Sequence, residues 1–306
     1  MQGTSGTLNY RFDFLKYRYF FLVLSVALIV VSFVGYFIKG GFAYHIDFTG
    51  GVEVRVVFEK PVNVAQLRSV VTSSGWDTAQ IQEVGREKKE FLVTLGGTQD
   101  ERLEEMFKKA IAIGILDNEA QIKGIEWVGA EVGKDTKWNA IKAVFLALIV
   151  LLLYIAIRSE LRFGVGAVLS LVHDLIIILA FLLFTGQAVS LHVLAAVLAV
   201  LGYSLNDTII IFSRIQSNLK KYRGHSEYQI VNLSINEMLK RTLLTSGTTF
   251  CTVLAIIFLG GEILRGFALI MALGIIVGTY SSVYVASASM LALEKKKKKE
   301  EIGVVG

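Results

Sequence analysis

The chain contains few of the residues that build catalytic or cross-linked sites: it has one proline, one cysteine and four histidines among 306 residues. The single cysteine, Cys251, cannot form an intrachain disulfide, and no spacing of cysteine and histidine is typical of a zinc site. We find no glycine-rich phosphate loop, dinucleotide-binding fingerprint or nucleophile elbow. These absences argue against an enzyme that hydrolyses ATP, and we expect no cofactor, no metal and no catalytic residue.

Charge is also scarce, because charged residues make up 19% of the chain, hydrophobic residues make up 54%, and the mean hydropathy is +0.58. Six apolar stretches are long enough to cross about 30 Å of hydrocarbon. They lie near residues 19–38, 138–157, 163–184, 190–213, 242–260 and 265–292. The sequence therefore predicts a membrane all-α bundle of six transmembrane helices, and the first stretch is too long for a signal-peptide core.

Basic residues favour one side of the membrane in the connections between these stretches. They are Arg11, Lys16, Arg18, Arg158, Arg162, Arg214, Lys220, Lys221, Arg223 and Lys240. The connections near 185–189 and 260–265 carry no net positive charge. Because cytoplasmic flanks retain lysine and arginine, we predict a multi-pass protein of the cytoplasmic (inner) membrane with both termini in the cytoplasm.

The net charge of +5 reflects these flanks together with a lysine run at 295–299. Lysines beside a membrane surface are attracted to anionic lipid. We therefore predict that residues 294–306 form a cytoplasmic lysine-rich tail in contact with membrane lipid, and we expect no nucleic acid partner.

One sizeable polar insert, residues 40–137, separates the N-terminus and first helix (1–39) from helices two to six (138–293). Apolar side chains indicate strands over 52–58, near 81, over 91–95 and over 122–127. They recur at helical spacing over 64–71 and 103–111. The resulting β-α-β-β-α-β order is typical of a small α+β ferredoxin-like domain. The predicted orientation places this domain on the extracytoplasmic side.

This insert has no cluster of histidines, cysteines or paired carboxylates that indicates catalysis. A mechanical binding or docking domain fits better than a passive cap, which stays open as an alternative. Its entrance reads Y-H-I-D-F-T-G-G over residues 44–51. The glycine pairs 40–41 and 50–51, with Gly133 near the exit, permit unusual backbone angles and are candidate hinges.

Asp207 lies inside an apolar run, within G-Y-S-L-N-D-T at 202–208. A carboxylate in hydrocarbon costs about 2.5–3.5 kcal/mol even on lenient scales, so such groups usually carry ions, relay protons or pair with other helices. We interpret Asp207 as an ion-coupling residue, with a helix-to-helix hydrogen bond as the alternative. Tyr203, one turn earlier, can donate to this carboxylate or simply pack, and Asn206 can contact a coupling ion or a neighbouring helix.

The fifth stretch begins with Arg241, a candidate cation for Asp207 or an ordinary basic flank. Thr245, Thr248 and Thr252 follow it at i+4, i+7 and i+11, forming a polar stripe on one helix face. This stripe is a candidate polar pathway that holds water beside Asp207, although it can also merely pack helices.

Two further features lie in other stretches. His173 and Asp174 sit close to mid-membrane, where they can relay ions or form a structural hydrogen bond to a neighbouring helix. A ridge of small residues at steps of four lets another helix approach closely, inside the chain or in a partner. Its members are Gly274, Gly278, Ser282 and Ala286.

Four of these motifs together resemble the SecF family, from Arg11 to about Leu293. In order they are D-F-T-G-G (Asp47, Phe48, Thr49, Gly50 and Gly51), H-D at 173–174, G-Y-S-L-N-D-T at 202–208 and R-T-L-L-T-S-G-T-T at 241–249. SecF is the six-span subunit of the SecDF accessory complex of bacterial and archaeal protein export, within the resistance-nodulation-division (RND) superfamily.

The resemblance implies a subunit that pairs with SecD as two six-span halves and assists the SecYEG channel, with an insertase and accessory subunits as further partners. It implies that the proton-motive force, or a sodium gradient, helps to export an unfolded preprotein after ATP-driven pushing. The family's intramembrane aspartate and arginine map onto Asp207 and Arg241, and its six helices form half of an RND-type core.

Two other functions stay open at this stage. One is half of a proton-coupled RND small-molecule exporter, although the small size of the insert argues against it. The other is a non-transporting scaffold for SecD or an insertase, which would tolerate the loss of the membrane charges.

Overall fold

The computed structural model describes residues 8–77, 79–84, 87–95, 102–115, 117–158 and 160–293, without the side chains at 158 and 261–263. The predicted lysine-rich tail, 294–306, lies outside the described residues. The helices are α1 Arg18–Lys39, α2 Ile46–Thr49, α3 Val64–Ser73, α4 Leu103–Gly114, α5 Ala130–Arg158, α6 Leu161–Thr185, α7 Leu191–Lys221, α8 Glu227–Leu259 and α9 Gly261–Ser281. A 3₁₀ turn at Phe14–Tyr17 precedes α1, and a π-helical turn at Ser282–Ala286 follows α9.

Six helical segments of the described chain are long and apolar enough to cross a membrane, judged by length and composition. They are Phe14–Lys39, Ala130–Ile157, Leu161–Thr185, Leu191–Lys221, Glu227–Leu259 and Leu264–Leu293. The number of spans is therefore confirmed.

Two of these helices, α7 and α8, extend well beyond the predicted stretches 190–213 and 242–260. The extensions pack on each other through polar groups that an apolar pattern does not reveal. Arg214 Nε donates to Glu237 Oε2 at 2.6 Å, and Asn218 Nδ2 donates to Ser234 Oγ at 3.0 Å.

A four-stranded antiparallel sheet occupies the insert, with strands β1 Gly51–Phe58, β2 Gln80–Val84, β3 Glu90–Leu95 and β4 Ala120–Val128. The strand order is β2-β3-β1-β4. Val54 on the central strand lies opposite Val93 on β3 and Ile125 on β4. The alternating side chains of β1 are buried, and Leu67 of α3 and Phe107 of α4 belong to the same core. The predicted strands and helix faces of the insert are therefore present.

The chain divides into two compact units. One comprises the described parts of residues 1–43, 143–187 and 192–306. The other comprises the described parts of residues 44–142 together with 188–191, a short segment that ends at the first residue of α7 and that sequence analysis did not assign to the insert.

The small-residue ridge of α9 packs on α7 inside the membrane unit. A β-carbon added at Gly274 would lie 2.2 Å from Val200 Cγ2, and one at Gly278 would lie 2.9 Å from Ser204 Cβ. Ser282 Oγ lies 2.9 Å from Thr208 Oγ1, and Ala286 is fully buried. The ridge therefore serves packing within the chain, the first of its two predicted uses.

Candidate functional site

Asp207 lies in the middle of α7 and is only 1% exposed. Its Oδ2 accepts a hydrogen bond from Ser246 Oγ on α8 at 3.1 Å. Thr279 Oγ1 on α9 lies 2.9 Å from that serine hydroxyl. The second carboxylate oxygen, Oδ1, is buried and has no hydrogen-bond partner in the described part of the chain. Asp207 is therefore a buried acid in which one of the two carboxylate oxygens has no partner in the described chain, and such an oxygen requires an explanation.

A second buried acid, Asp174 on α6, has a fuller set of partners. His173 Nδ1 lies 3.1 Å from Asp174 Oδ1, while Oδ2 accepts from Ser204 on α7 at 2.6 Å and from Ser281 on α9 at 2.9 Å. Ser170 Oγ in turn donates to Ser281 Oγ at 3.0 Å. We call His173, Asp174, Ser204 and Ser281 the Asp174 cluster. Asp174 therefore accepts hydrogen bonds from the neighbouring helices α7 and α9, as in the structural alternative, and an ion-relay role stays a prediction.

The two acids share the same helices, because α7 carries Asp207 and also Ser204, a partner of Asp174. Similarly, α9 contributes Thr279 towards one acid and Ser281 to the other. Sequence reasoning missed Ser204, Ser246, Thr279 and Ser281. Ser204 stands three residues before Asp207, a spacing that places both on one side of α7 and that signals a shared polar face.

The structure does not place the predicted polar stripe beside Asp207. Arg241 is exposed and forms no ion pair with Asp207, and Thr248 and Thr252 are exposed as well. At about 100° per residue, Ser246 lies about 140° around α8 from Arg241. The stripe threonines donate to carbonyls of their own helix, Thr245 to Arg241 at 2.9 Å and Thr252 to Thr248 at 3.1 Å. The role of Arg241 stays a prediction.

The other two predicted residues of α7 also differ from the sequence-based view. Tyr203 does not donate to Asp207: its buried hydroxyl has no partner in the described chain, and the side chain packs against an apolar cluster that includes Val253 and Ile275. Asn206 is exposed on the outer side of the helix. The structure supports packing for Tyr203, and both roles of Asn206 stay predictions.

The D-F-T-G-G motif lies in the second unit, where its aspartate belongs to an ion triplet. His45 Nδ1 lies 3.1 Å from Asp47 Oδ2, and His45 Nε2 lies 2.9 Å from Glu53 Oε2. These hydrogen bonds, to Asp47 first and then to Glu53, raise the pKa of His45 from 6.5 to about 10 against the opposing effect of burial. His45 is therefore a cation at neutral pH.

The remaining motif residues turn the chain into β1. Phe48 is buried and Thr49 is exposed, and the glycines that follow have φ of +70° at Gly50 and +130° at Gly51. A β-carbon at Gly50 would lie 2.6 Å from Ala130 Cα. Gly50 is therefore required by both its backbone angle and its close packing, which differs from the open hinge that the sequence predicted.

The fold and these buried acids define a class of molecule: a multi-pass membrane protein with six apolar helices, a small antiparallel sheet domain after the first span, and carboxylates inside the helical bundle. The model of the family described as "Protein export membrane protein SecD/SecF, C-terminal" matches residues 108–296. The chain belongs to the SecF family of protein translocase subunits.

Individual relatives agree with this assignment. Protein translocase subunit SecF of Calditerrivibrio nitroreducens is 41% identical over 292 residues, which cover 94% of this chain and 95% of the relative. The SecF subunit of Escherichia coli O157:H7 is 35% identical over 290 residues, covering 94% and 89%.

The fold is similar to a crystal structure of SecDF, a translocon-associated membrane protein from Thermus thermophilus, with a TM-score of 0.85 and 37% identity. That match covers 96% of this chain and 40% of the SecDF chain. The chain therefore spans well under half of the protein to which it is compared.

Proposed function

We propose that this chain is a SecF-type subunit that pairs with SecD and uses an ion gradient to promote a late stage of preprotein translocation across the cytoplasmic membrane. The coupling ion is a proton, with sodium as the alternative, and Asp207 is the residue that takes it up. Family membership supports the class of activity, and the partners would be SecD, the SecYEG channel, an insertase and the unfolded preprotein.

The half-satisfied carboxylate of Asp207 is the observation that carries this proposal. One neutral hydroxyl, from Ser246, cannot neutralise a charge that costs about 2.5–3.5 kcal/mol in mid-membrane. The open Oδ1 can accept a proton, a water or a cation without first losing a bond. Moving one charge through 100 mV supplies about 2.3 kcal/mol, enough to shift a two-state equilibrium roughly fiftyfold.

Exposed polar groups on α7 and α8 support a second membrane subunit. Asn206, Arg241, Thr248 and Thr252 all face away from this chain's own bundle. Polar side chains inside a membrane rarely face lipid, so we propose that the six helices of SecD cover them. In this proposal the helices form half of an RND-type core, and Arg241 becomes the charge partner of Asp207 at another step of the transport cycle.

We propose that the sheet domain is ferredoxin-like and extracytoplasmic, where it guards an emerging preprotein. The strand order β2-β3-β1-β4, with α3 after β1 and α4 after β3, supports that topology.

A variant without Cys251 tests the orientation through single cysteines at Ser74 and Arg223, both exposed. A membrane-impermeant thiol reagent should label them from opposite faces, and labelling from one face would contradict the model.

Export into inner-membrane vesicles under an imposed proton gradient tests the coupling role. Asp207→Asn keeps the side-chain volume but cannot exchange a proton, so gradient-stimulated export should be lost while insertion and SecD binding persist. Asp174→Asn makes the same change in the other buried acid, so retained stimulated export in that variant would assign the loss to Asp207, and loss in both variants would give Asp174 an ion-relay role as well. Near-normal stimulated export by Asp207→Asn would contradict the proposal and favour a non-transporting scaffold.

A further inference from the structure

The entrance of the sheet domain contacts two distant stretches of the same compact unit. The backbone N–H of His45 donates to the carbonyl of Val189 at 2.9 Å, and Tyr44 forms a parallel β-bridge with Val189. A β-carbon at Gly133, in the first turn of α5, would lie 2.6 Å from Gly50 N. We call residues 44–51 with their contacts at 129–133 and 188–191 the entrance joint.

Asp47 makes the contact that links this joint to a membrane helix. Its Oδ2 accepts the backbone N–H of Leu191 at 2.8 Å, and Leu191 is the first residue of α7. The first N–H groups of a helix have no partner within the helix, and a carboxylate there also matches the positive end of the helix dipole. Asp47 therefore caps α7 although it lies 144 residues away in the chain.

The ion triplet holds the capping carboxylate in place. His45 bridges Asp47 to Glu53 of β1, with the two nitrogen-to-oxygen distances at 3.1 and 2.9 Å. Thr94 Oγ1 of β3 donates to the same Glu53 oxygen at 3.4 Å. The side chain that caps α7 is thus bonded, through one imidazole, to the central strand of the sheet.

Glycine packing leaves little freedom inside the joint. Gly50 and Gly133 each face backbone atoms at 2.6 Å from an added β-carbon, whereas Gly40 has open space around it at φ +74°. Of the predicted hinge glycines, Gly40 is the one whose surroundings leave room for movement, and Gly50 and Gly133 belong to a tight contact.

We propose that Asp47 is a positioning residue that holds Leu191, the first residue of the helix that carries Asp207, to the sheet domain through His45 and Glu53. Residues 129–133 and 188–191, which include the start of α5 and the first residue of α7, then stay with the sheet domain in one compact unit. The expected effect of Asp47 on export rests on the function proposed above. The expected effect of Asp47 on the N-terminus of α7 does not.

Hydrogen exchange on the full chain in nanodiscs with SecD tests the structural part. Asp47→Ala should speed exchange at the amides of residues 191–194 by about fivefold, the usual effect of losing a helix cap. Asp47→Asn should have a smaller effect, because its amide oxygen still accepts the N–H, and it keeps the test informative if the alanine variant does not fold. His45→Gln should also speed exchange there, although His45 does not touch Leu191 through its side chain.

Glu59→Gln is the matched control, since Glu59 is an exposed carboxylate of the same domain, just after β1. It should leave both exchange at 191–194 and export unchanged. Asp47→Ala should also lower gradient-stimulated export. The inference would be overturned if residues 191–194 of Asp47→Ala exchange at the wild-type rate. It would also be overturned if they exchange faster while export by that variant stays at the wild-type level. Failure of the coupling proposal is recognised separately, through normal export by Asp207→Asn, which does not alter the first turn of α7.

Discussion

The two buried acids of the membrane bundle are satisfied to different degrees. Asp174 has three partners, His173, Ser204 and Ser281, and both of its oxygens are bonded. Asp207 has one, and its Oδ1 is open in the described chain. Burial alone therefore does not identify a coupling residue. In our proposal, unused hydrogen-bonding capacity is what separates Asp207, as the ion-coupling acid, from Asp174, which bonds to neighbouring helices.

The largest expected effect is a difference in the free energy of unfolding between alanine variants of the two acids. Asp174→Ala leaves His173 and Ser204 without this acceptor, at about 1–3 kcal/mol each, and Ser281 keeps only the Gly278 carbonyl, so we expect a total loss of about 3–5 kcal/mol in the free energy of unfolding. Asp207→Ala removes one hydrogen bond together with a poorly compensated charge, and should change stability by about 1 kcal/mol or less.

Chemical unfolding of the purified chain in detergent micelles measures both values. Asp174→Asn serves as the control, because the amide keeps the volume and can still accept from a serine hydroxyl. Equal losses in the two alanine variants would break the comparison and return Asp207 to a structural role.

A smaller effect should come from glycines beside the two acids. Gly278→Ala would bring a β-carbon to 2.9 Å from Ser204 Cβ, displacing a partner of Asp174. Overpacking of this kind costs about 1–3 kcal/mol. Gly247, next to the Asp207 partner Ser246, has nothing within 4 Å, and its replacement by alanine should stabilise α8 by up to about 1 kcal/mol. The same unfolding assay checks the pair, and destabilisation by Gly247→Ala would show that the Asp207 side is packed as tightly.

Hydroxyl deletions sharpen the comparison further. Ser281→Ala removes a bond to Asp174 Oδ2 and leaves Ser170 without its acceptor, so we expect a loss of about 1–2 kcal/mol with export retained. Ser246→Ala removes the one bond to Asp207 and should cost about 1 kcal/mol while altering gradient-stimulated export. Unchanged export in Ser246→Ala, measured in the vesicle assay, would contradict a coupling role for that contact.

Sequence reasoning found Asp207 because a charge inside an apolar run is visible without any knowledge of neighbours. It could not find Ser246, since serines are common in membrane helices and the rotation of α8 about its axis depends on packing. The polar stripe from Arg241 was real as a pattern, yet it lies on a different face of α8 from Ser246. Helical periodicity identifies a face and does not identify what covers it.

The joint at the sheet domain shows the same limit. D-F-T-G-G was recognisable as a motif, and its glycines were correctly assigned special backbone angles. The hydrogen bond from the Leu191 N–H to Asp47 joins residues 144 positions apart, and a local sequence pattern does not predict such a contact. Strand alternation was readable because one face of the sheet is buried, which fixes the register of each strand.

A second pair of acids lies outside the membrane bundle, at the entrance of the sheet domain. Asp47 and Glu53 share the protonated His45, so a cation compensates both carboxylates. In the membrane bundle, Asp207 has only a neutral hydroxyl as its partner. The pKa of His45 rises from 6.5 to about 10 in the folded protein, chiefly through its hydrogen bonds to Asp47 and Glu53. The folded state therefore holds the proton more tightly than the unfolded state, and this contribution to stability is complete below pH 6.5 and is lost as the pH rises through about 10.

We accordingly expect the unit containing the sheet to unfold at a lower temperature at pH 9.5 than at pH 7, with His45→Gln showing a smaller difference between the two. The three tryptophans, Trp76, Trp127 and Trp138, all lie in that unit, so their fluorescence follows its unfolding in the full chain. His225→Gln is the control, because His225 lies in the other unit, in the turn between α7 and α8 and away from the joint. If His45→Gln keeps the wild-type dependence on pH, the cation at the joint does not contribute to stability, and its carboxylates would have to be compensated in another way.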